Sequence, residues 1–478
     1  MTWTNSKDTA LRERAMAVIP NGMYGHQSVM LLPDDYPQFF DRAEGAYLWD
    51  VDGNRYVDFM CGYGPNLFGY GHAAIDAAYV DQMKRGDTMT GPGQAMVELA
   101  EALTAQVSHA DWAMFCKNGT DATTMAMMIA RNFTQKKTIV LAKGAYHGAQ
   151  PWCTPLKNGT TPADRANQVF YEYNDVESLE AAVREAGSDL AAIFASPIKH
   201  DTFVDQELPD PEYARRAREL CDEHGALLIV DDVRAGFRLA RDCSWSLVNV
   251  KPDLSTWGKA IANGHPISAL LGADIARFAA ATIYATGSFW FSAAPMAASL
   301  ATLKLIRETD YLERTIALGE RLRAGLDDVA GRHGFGLRQT GPAQLPLIMV
   351  DDDPTGAKGY FWNNALLKRG VYFHPWHNMF MTTAMTDADI DHAVEAADDS
   401  FKLLKAAGPP GAGGQARVPA LGGRLTRRVS PPPPAPSPAG PWRRRSAGWS
   451  PPVRRPGLAS APGCCPSRRG PAAPGSGR

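Results

Sequence analysis

The amino-acid sequence predicts an α/β protein with a mostly parallel sheet, followed by a smaller α+β domain. Three observations carry this. Short apolar runs recur through the middle of the chain. Helical periodicity fills most of the gaps between them. The runs are apolar at successive positions, as in strands covered on both faces.

In chain order, Ser6 to Val18 reads as a helix that ends at the Pro20-Asn21-Gly22 turn. AYLWDVDGNRYVDF, from Ala46 to Phe59, has two alternating runs around Asp52-Gly53-Asn54 and predicts a β-hairpin. A Gly-rich stretch from Gly62 to Gly71 leads into a helix over His72 to Lys84, with a second over Met96 to Val107. Strands are predicted at Trp112–Cys116, Thr138–Ala142, Ala191–Ala195, Ala226–Val230 and Ile267–Leu271. Helices are predicted at Asp121–Phe133, Val176–Ala186 and Pro211–His224, with right-handed crossovers. A helix over Met296 to Arg307 precedes another running to Arg332. Leu345 to Leu404 reads as a small α+β domain whose last helix opens at Thr386, with Asp389 completing a capping box.

Charge divides the 478 residues unevenly. The formal net charge is −2, yet Gly408 to Arg478 holds twelve Arg and no Lys, Asp or Glu, which leaves −14 on the first 407 residues. The last 71 residues also hold 17 of the 35 prolines, so they predict a disordered tail. The acidic body argues against nucleic acid as a partner. No apolar run is long enough to span a membrane, and the N-terminus lacks a secretory h-region. The seven cysteines show no metal spacing, and Cys61, Cys116, Cys153, Cys221 and Cys243 read as the reduced thiols of a cytoplasmic protein.

Four local patterns carry chemistry. ALLIVDDVRAGFR ends an apolar run in Asp231-Asp232, where a carboxylate can face a ligand crevice; capping of the next segment is the competing reading. In LSTWGKAIANGHP, Lys259 lies between a Trp-Gly pair and Gly264, although a lysine near a glycine is ordinarily solvated. An enclosed amine loses its proton near neutrality and can form a Schiff base with a carbonyl. FCKNGTDATTM places Asn118, Gly119 and Thr120 at a strand-to-helix turn, where free backbone N–H groups attract phosphate, or where the polar side chains simply cap the helix. GAYHGAQ places Tyr146 and His147 past a strand, where an aromatic can stack on a flat ring or pack on the surface. Each pattern is weak alone. Together they supply a phosphate cradle, a stacking ring, a partner for a ring nitrogen and an imine-forming amine, the protein groups that hold pyridoxal 5′-phosphate (PLP).

Over about Ala15 to Leu404 the chain resembles the class III, fold type I PLP-dependent aminotransferases, in the glutamate-1-semialdehyde aminomutase-like branch. The motifs that carry the resemblance are YLWDVDGNRYVDF, NGTDAT, AYHG, DDVRAGFR, PDLSTWGKAIANGHP and RGVYFHP. It implies a large domain with a mostly parallel seven-stranded sheet over residues 61–305. A smaller α+β domain over 306–406 would be joined by an N-terminal segment over 1–60, leaving the tail at 407–478. It implies that Lys259 holds PLP and moves a proton at the substrate carbon, and that Asp231 pairs with the ring nitrogen. Tyr146 and Val233 would cover the two ring faces, His147 would lie beside the ring, and Asn118, Gly119 and Thr120 would hold the phosphate. It also implies a homodimer with the site at its interface.

Departures bear on the substrate. Asp232 stands where the family has Glu, and Ser196-Pro197 where it has Glu-Pro. In GSFWFSAAP, Trp290 falls where a threonine reaches the partner subunit's phosphate, which leaves Ser288 as the substitute. Ser28 replaces an arginine, and the region around His377-Asn378-Met379 is shortened. Tyr24, Trp290, Phe291 and Trp376 predict a more aromatic pocket. His374 and His377 read as polar lining or core contacts, not metal ligands. The leading expectation is transfer of an amino group between an amine or amino acid donor and a carbonyl acceptor. Intramolecular amino transfer, epimerisation, and PLP binding without catalysis are the alternatives.

Overall fold

The computed structural model describes residues 3–199 and 204–408, all within one compact unit, Met1–Ala420. The basic tail past Gly408 lies outside the described residues.

The chain opens with α1 (Ser6–Val18), then β1 (Phe40–Glu44), β2 (Tyr47–Asp50) and β3 (Arg55–Asp58). Helices α2 (Ala73–Arg85) and α3 (Gln94–Gln106) lead to β4 (Trp112–Cys116), α4 (Gly119–Thr134) and β5 (Thr138–Ala142). Next come β6 (Gln168–Tyr171), α5 (Val176–Ala186), β7 (Leu190–Ala195), α6 (Pro211–His224), β8 (Leu227–Asp231), β9 (Leu254–Trp257) and β10 (Ser268–Gly272). Then follow α7 (Arg277–Thr282), α8 (Ala293–Glu308), α9 (Tyr311–His333), β11 (Leu337–Thr340), β12 (Leu347–Val350), α10 (Ala357–Leu367), β13 (Val371–Tyr372) and α11 (Asp387–Ala407).

Seven strands form the large sheet in the order β4-β10-β9-β8-β7-β5-β6. The pairings β9-β8, β8-β7, β7-β5 and β5-β6 are parallel. The β10 strand runs antiparallel to both β9 and β4. Every residue of β8 is buried, and its side chains alternate between two cores. Leu228 and Val230 join Leu99, Leu179, Tyr213 and Leu303 on one face. Leu227 and Ile229 join Met125, Ala126, Ile129 and Phe194 on the other. Burial on both faces explains why this strand reads as an unbroken apolar run.

Two strands of this sheet, β6 and β9, are absent from the sequence-based expectation. LSTW of β9 is half polar, yet all four residues are buried. Ser255 Oγ takes a hydrogen bond from Trp257 Nε1 and lies 3.0 Å from His109 Nε2, so the sheet accepts it without loss.

A second core unites both ends of the described chain. Tyr56, Val57 and Phe59 pack with Leu322, Leu326, Trp362, Leu366, Phe373 and Phe401. Here β1-β2-β3-β13 form a four-stranded sheet in which β3 and β13 pair in parallel. Helix α11 opens on the reciprocal Thr386–Asp389 capping box anticipated from the sequence.

Candidate active site

A cavity of about 520 Å³ opens where the C-terminal ends of β4, β5, β8 and β9 converge. The crevice beyond strand C-termini is where an open α/β sheet binds ligands. Lys117, Asn118, Gly119, Thr120, Tyr146, His147, Asp231, Val233 and Lys259 all line it, so it gathers every candidate but one. Ser288 is the exception. It is exposed in the loop before α8 and is absent from this cavity's lining.

Asn118 caps α4, accepting from the Asp121 N–H at 3.2 Å, and Asp121 returns a bond from the Asn118 N–H. The helix N-terminus therefore faces the cavity with Gly119 and Thr120 in its first turn. A Cβ at Gly119 would stand 2.6 Å from Val233 Cγ1, so only glycine admits this approach. Such a turn binds an anion through backbone N–H groups.

Asp231 is the last residue of β8 and is 6% exposed. Its Oδ1 accepts from Thr256 Oγ1 at 2.8 Å and from the Val233 N–H at 3.2 Å, while Oδ2 lies 2.7 Å from His147 Nδ1. His147 is anchored in turn, because its carbonyl accepts from Thr123 Oγ1 at 2.7 Å. Its buried Nε2 has no hydrogen-bond partner among the described residues. Val233 fills the space between Gly119 and Gly258, and Tyr146 is 40% exposed at the cavity wall.

Lys259 begins a short 3-10 turn directly after β9, in the left-handed region at φ 45°. Its Nζ donates to the Tyr63 carbonyl at 2.9 Å. Desolvation, helped by the Arg234 and Arg238 charges and opposed by Asp231, pushes its amine down to about 7. A neutral amine is therefore available near physiological pH. Burial likewise lowers His26, aided by Lys259 and Arg234. Burial also pushes the Asp232 carboxyl up to about 6.

The aromatic side chains of the cavity differ from those expected. Tyr24, Trp290, Phe291 and Trp376 are all absent from its lining, whereas Tyr63 and Tyr146 are present. Trp376 packs edge-on against His374 and donates Nε1 to the Leu31 carbonyl, which turns it away from the cavity. His374 is buried in the same cluster. Among the described residues, no group of three His, Cys, Asp or Glu side chains is placed to hold a metal. Thr256, Tyr63, His26, Arg234 and Arg238 were not singled out from sequence. For Thr256, Arg234 and Arg238 the only signal was neighbourhood to Asp231 or Lys259, for Tyr63 the Gly-rich run, and for His26 only its place in the segment PNGMYGHQS.

The residues present fit PLP. There is an anion cradle that a Cβ would fill, a buried carboxylate at the strand end, and a desolvated amine in one cavity. Fold and site together define a PLP-dependent enzyme. Residues 32–400 match the family model for aminotransferase class III, and the chain belongs to that family. It is 58% identical over 401 residues to the aminopentol aminotransferase of Sphingopyxis macrogoltabida, covering 84% of this chain and 94% of that protein. It is 30% identical over 426 residues to the glutamate-1-semialdehyde 2,1-aminomutase of Nitrosospira multiformis, covering 83% and 99%. Its fold matches the PLP internal aldimine form of the Sphingopyxis sp. MTA144 FumI protein, with a TM-score of 0.83 and 57% identity over 84% of this chain and 96% of that one. The chain is a class III PLP-dependent aminotransferase.

Proposed function

We propose that the chain moves an amino group from an amine on a hydroxyl-bearing carbon chain to a separate carbonyl acceptor. The observation that carries this is the 58% identity to an aminopentol aminotransferase over nearly its whole length. The cavity lining supports it. Tyr63 and Tyr146 offer apolar ring surface and His26 and Gln27 offer polar groups, which suits a substrate that carries both carbon and hydroxyl groups.

PLP, when bound, supplies an electron-accepting ring that stabilises negative charge at the carbon bearing the amino group. Lys259 would hold the cofactor covalently and carry the proton at that carbon. Asp231 would pair with the ring nitrogen, with His147 and Thr256 orienting the carboxylate. Tyr146 and Val233 would confine the ring. Asn118, Gly119 and Thr120 would hold the phosphate.

The protein acts as a cytoplasmic homodimer in this reading. Ile275, Phe278, Tyr284 and Phe289 are 62%, 80%, 88% and 62% exposed within fifteen residues of one another. Apolar exposure this dense supports an interface between two copies of the chain. Ser288 lies inside that segment and would reach the partner's phosphate cradle.

The test is to add single amine donors, including an aminopolyol, to the PLP-loaded enzyme without an acceptor. A changed cofactor spectrum with release of the matching carbonyl compound is expected. A response confined to aminoaldehydes, with no carbonyl released, would establish intramolecular transfer instead.

A further inference from the structure

Four consecutive residues adopt left-handed backbone: Cys61, Gly62, Tyr63 and Gly64, at φ 47°, 64°, 67° and 103°. Such a run persists only where its surroundings impose it. Its third member carries the carbonyl that holds Lys259. Its fourth is held by Arg238, whose Nε and Nη2 donate to the Gly64 carbonyl at 3.1 and 2.8 Å. The same guanidinium donates Nη1 to the Met381 carbonyl at 2.7 Å and lies 5.0 Å over the Phe380 ring. Phe380 closes the turn from outside, since a Cβ at Gly64 would stand 2.7 Å from its Cε1. Arg238 is 1% exposed, and among the described residues no carboxylate lies within ion-pair distance of it. A buried guanidinium held by two carbonyls and a ring face, with no carboxylate partner among the described residues, is an expensive arrangement for stability alone.

We infer that Arg238 is a positioning residue for Lys259: its guanidinium fork fixes the left-handed turn whose Tyr63 carbonyl aims the amine. This rests on the role given to Lys259 above. The groups that face Lys259 are Asp231 at the end of β8, Arg234 and Arg238 in the turns that follow, His26 from the N-terminal segment and His377 from the C-terminal one. Asp231 alone opposes the cations. Removing Arg238 therefore shifts the balance toward the ammonium form.

The experiment uses the full-length chain stripped of PLP. The rate of PLP uptake is followed by visible absorbance across pH. Labelling of Lys259 by trinitrobenzenesulfonate is followed across the same range by mass spectrometry. Arg238→Gln should raise the midpoint of both profiles by about one pH unit. Arg238→Lys should keep the midpoint, because the charge stays. Its uptake should slow by roughly tenfold, because the fork that fixes the turn is gone. Unmoved profiles in Arg238→Gln, with only thermal stability lowered, would overturn the inference. Wild-type uptake in Arg238→Lys would overturn it equally, and that variant decides the matter if Arg238→Gln does not fold. Covalent PLP in Lys259→Ala would sink the reading of the preceding section, whereas insensitivity to Arg238 sinks this one.

Discussion

His147 Nδ1 and Asp231 Oδ2 lie 2.7 Å apart, and both side chains are almost wholly buried at the sheet's C-terminal edge. Thr256 donates to the other carboxylate oxygen. The carboxylate is therefore gripped from both sides where it lines the cavity. Asp231→Asn should lower turnover by on the order of 10³-fold, because the electrostatic partner of the ring is lost. Thr256→Val removes one orienting bond, worth about 1 kcal/mol, and should cost roughly tenfold or less. Steady-state kinetics and PLP titration of the two variants check this ordering.

Lys259→Ala should abolish covalent PLP retention and lower turnover by at least about 10³-fold, with an unchanged far-UV circular dichroism spectrum. A normal rate in that variant would remove Lys259 from the chemistry.

The same lysine makes a stability prediction. Its amine falls from 10.5 in the unfolded chain to about 7 in the folded one. Between those values the unfolded chain binds more protons, so stability rises with pH across the window. Lys259→Met should therefore be more stable than wild type in the cofactor-free protein at and below pH 7, by at most about 4–5 kcal/mol. The gap should close as pH approaches 10.5. Urea unfolding at several pH values measures it. A gap that widened with pH would contradict the buried-amine account.

Gly119→Ala should displace Val233, whose Cγ1 would stand 2.6 Å from the new Cβ. PLP affinity should fall by roughly tenfold or more, while folding is little affected, because Gly119 has ordinary helical φ. Fluorescence titration with PLP reads this directly.

The exposed apolar segment makes the fourth site of intervention. Phe278→Asp combined with Tyr284→Asp should convert a dimer into monomers, as measured by light scattering coupled to size exclusion. Both residues are far too exposed in one chain to contribute to its own core. A monomeric wild type would contradict the dimer.

Much of this molecule is written locally. Ser6–Val18, Val176–Ala186 and Pro211–His224 were legible to the residue, because a helix is decided by neighbours three and four positions apart and by its caps. The Thr386–Asp389 box lies within four residues for the same reason. The β8 strand was legible because burial on both faces leaves an unbroken apolar run. The motifs around Lys259 and Asp231 singled out two residues that the structure brings to one cavity. By contrast, β9 was missed: its Ser255 and Thr256 look like loop residues until His109 and Asp231 arrive to satisfy them.

What tertiary structure alone decided is the set of contacts between segments distant in sequence. Tyr63 meets Lys259 across 196 residues, Gly64 meets Arg238 across 174, and His147 meets Asp231 across 84. Four strand ends had to converge before Thr256 could meet Asp231, or Tyr63 meet Lys259. The same convergence left both Trp376 and Ser288 out of the cavity lining. Local chemistry along the chain determines which groups are available, because caps, periodicity and motif spacing act over a few residues. Which of those groups touch, and which amine loses its proton, depends on burial and on charges brought together by the sheet.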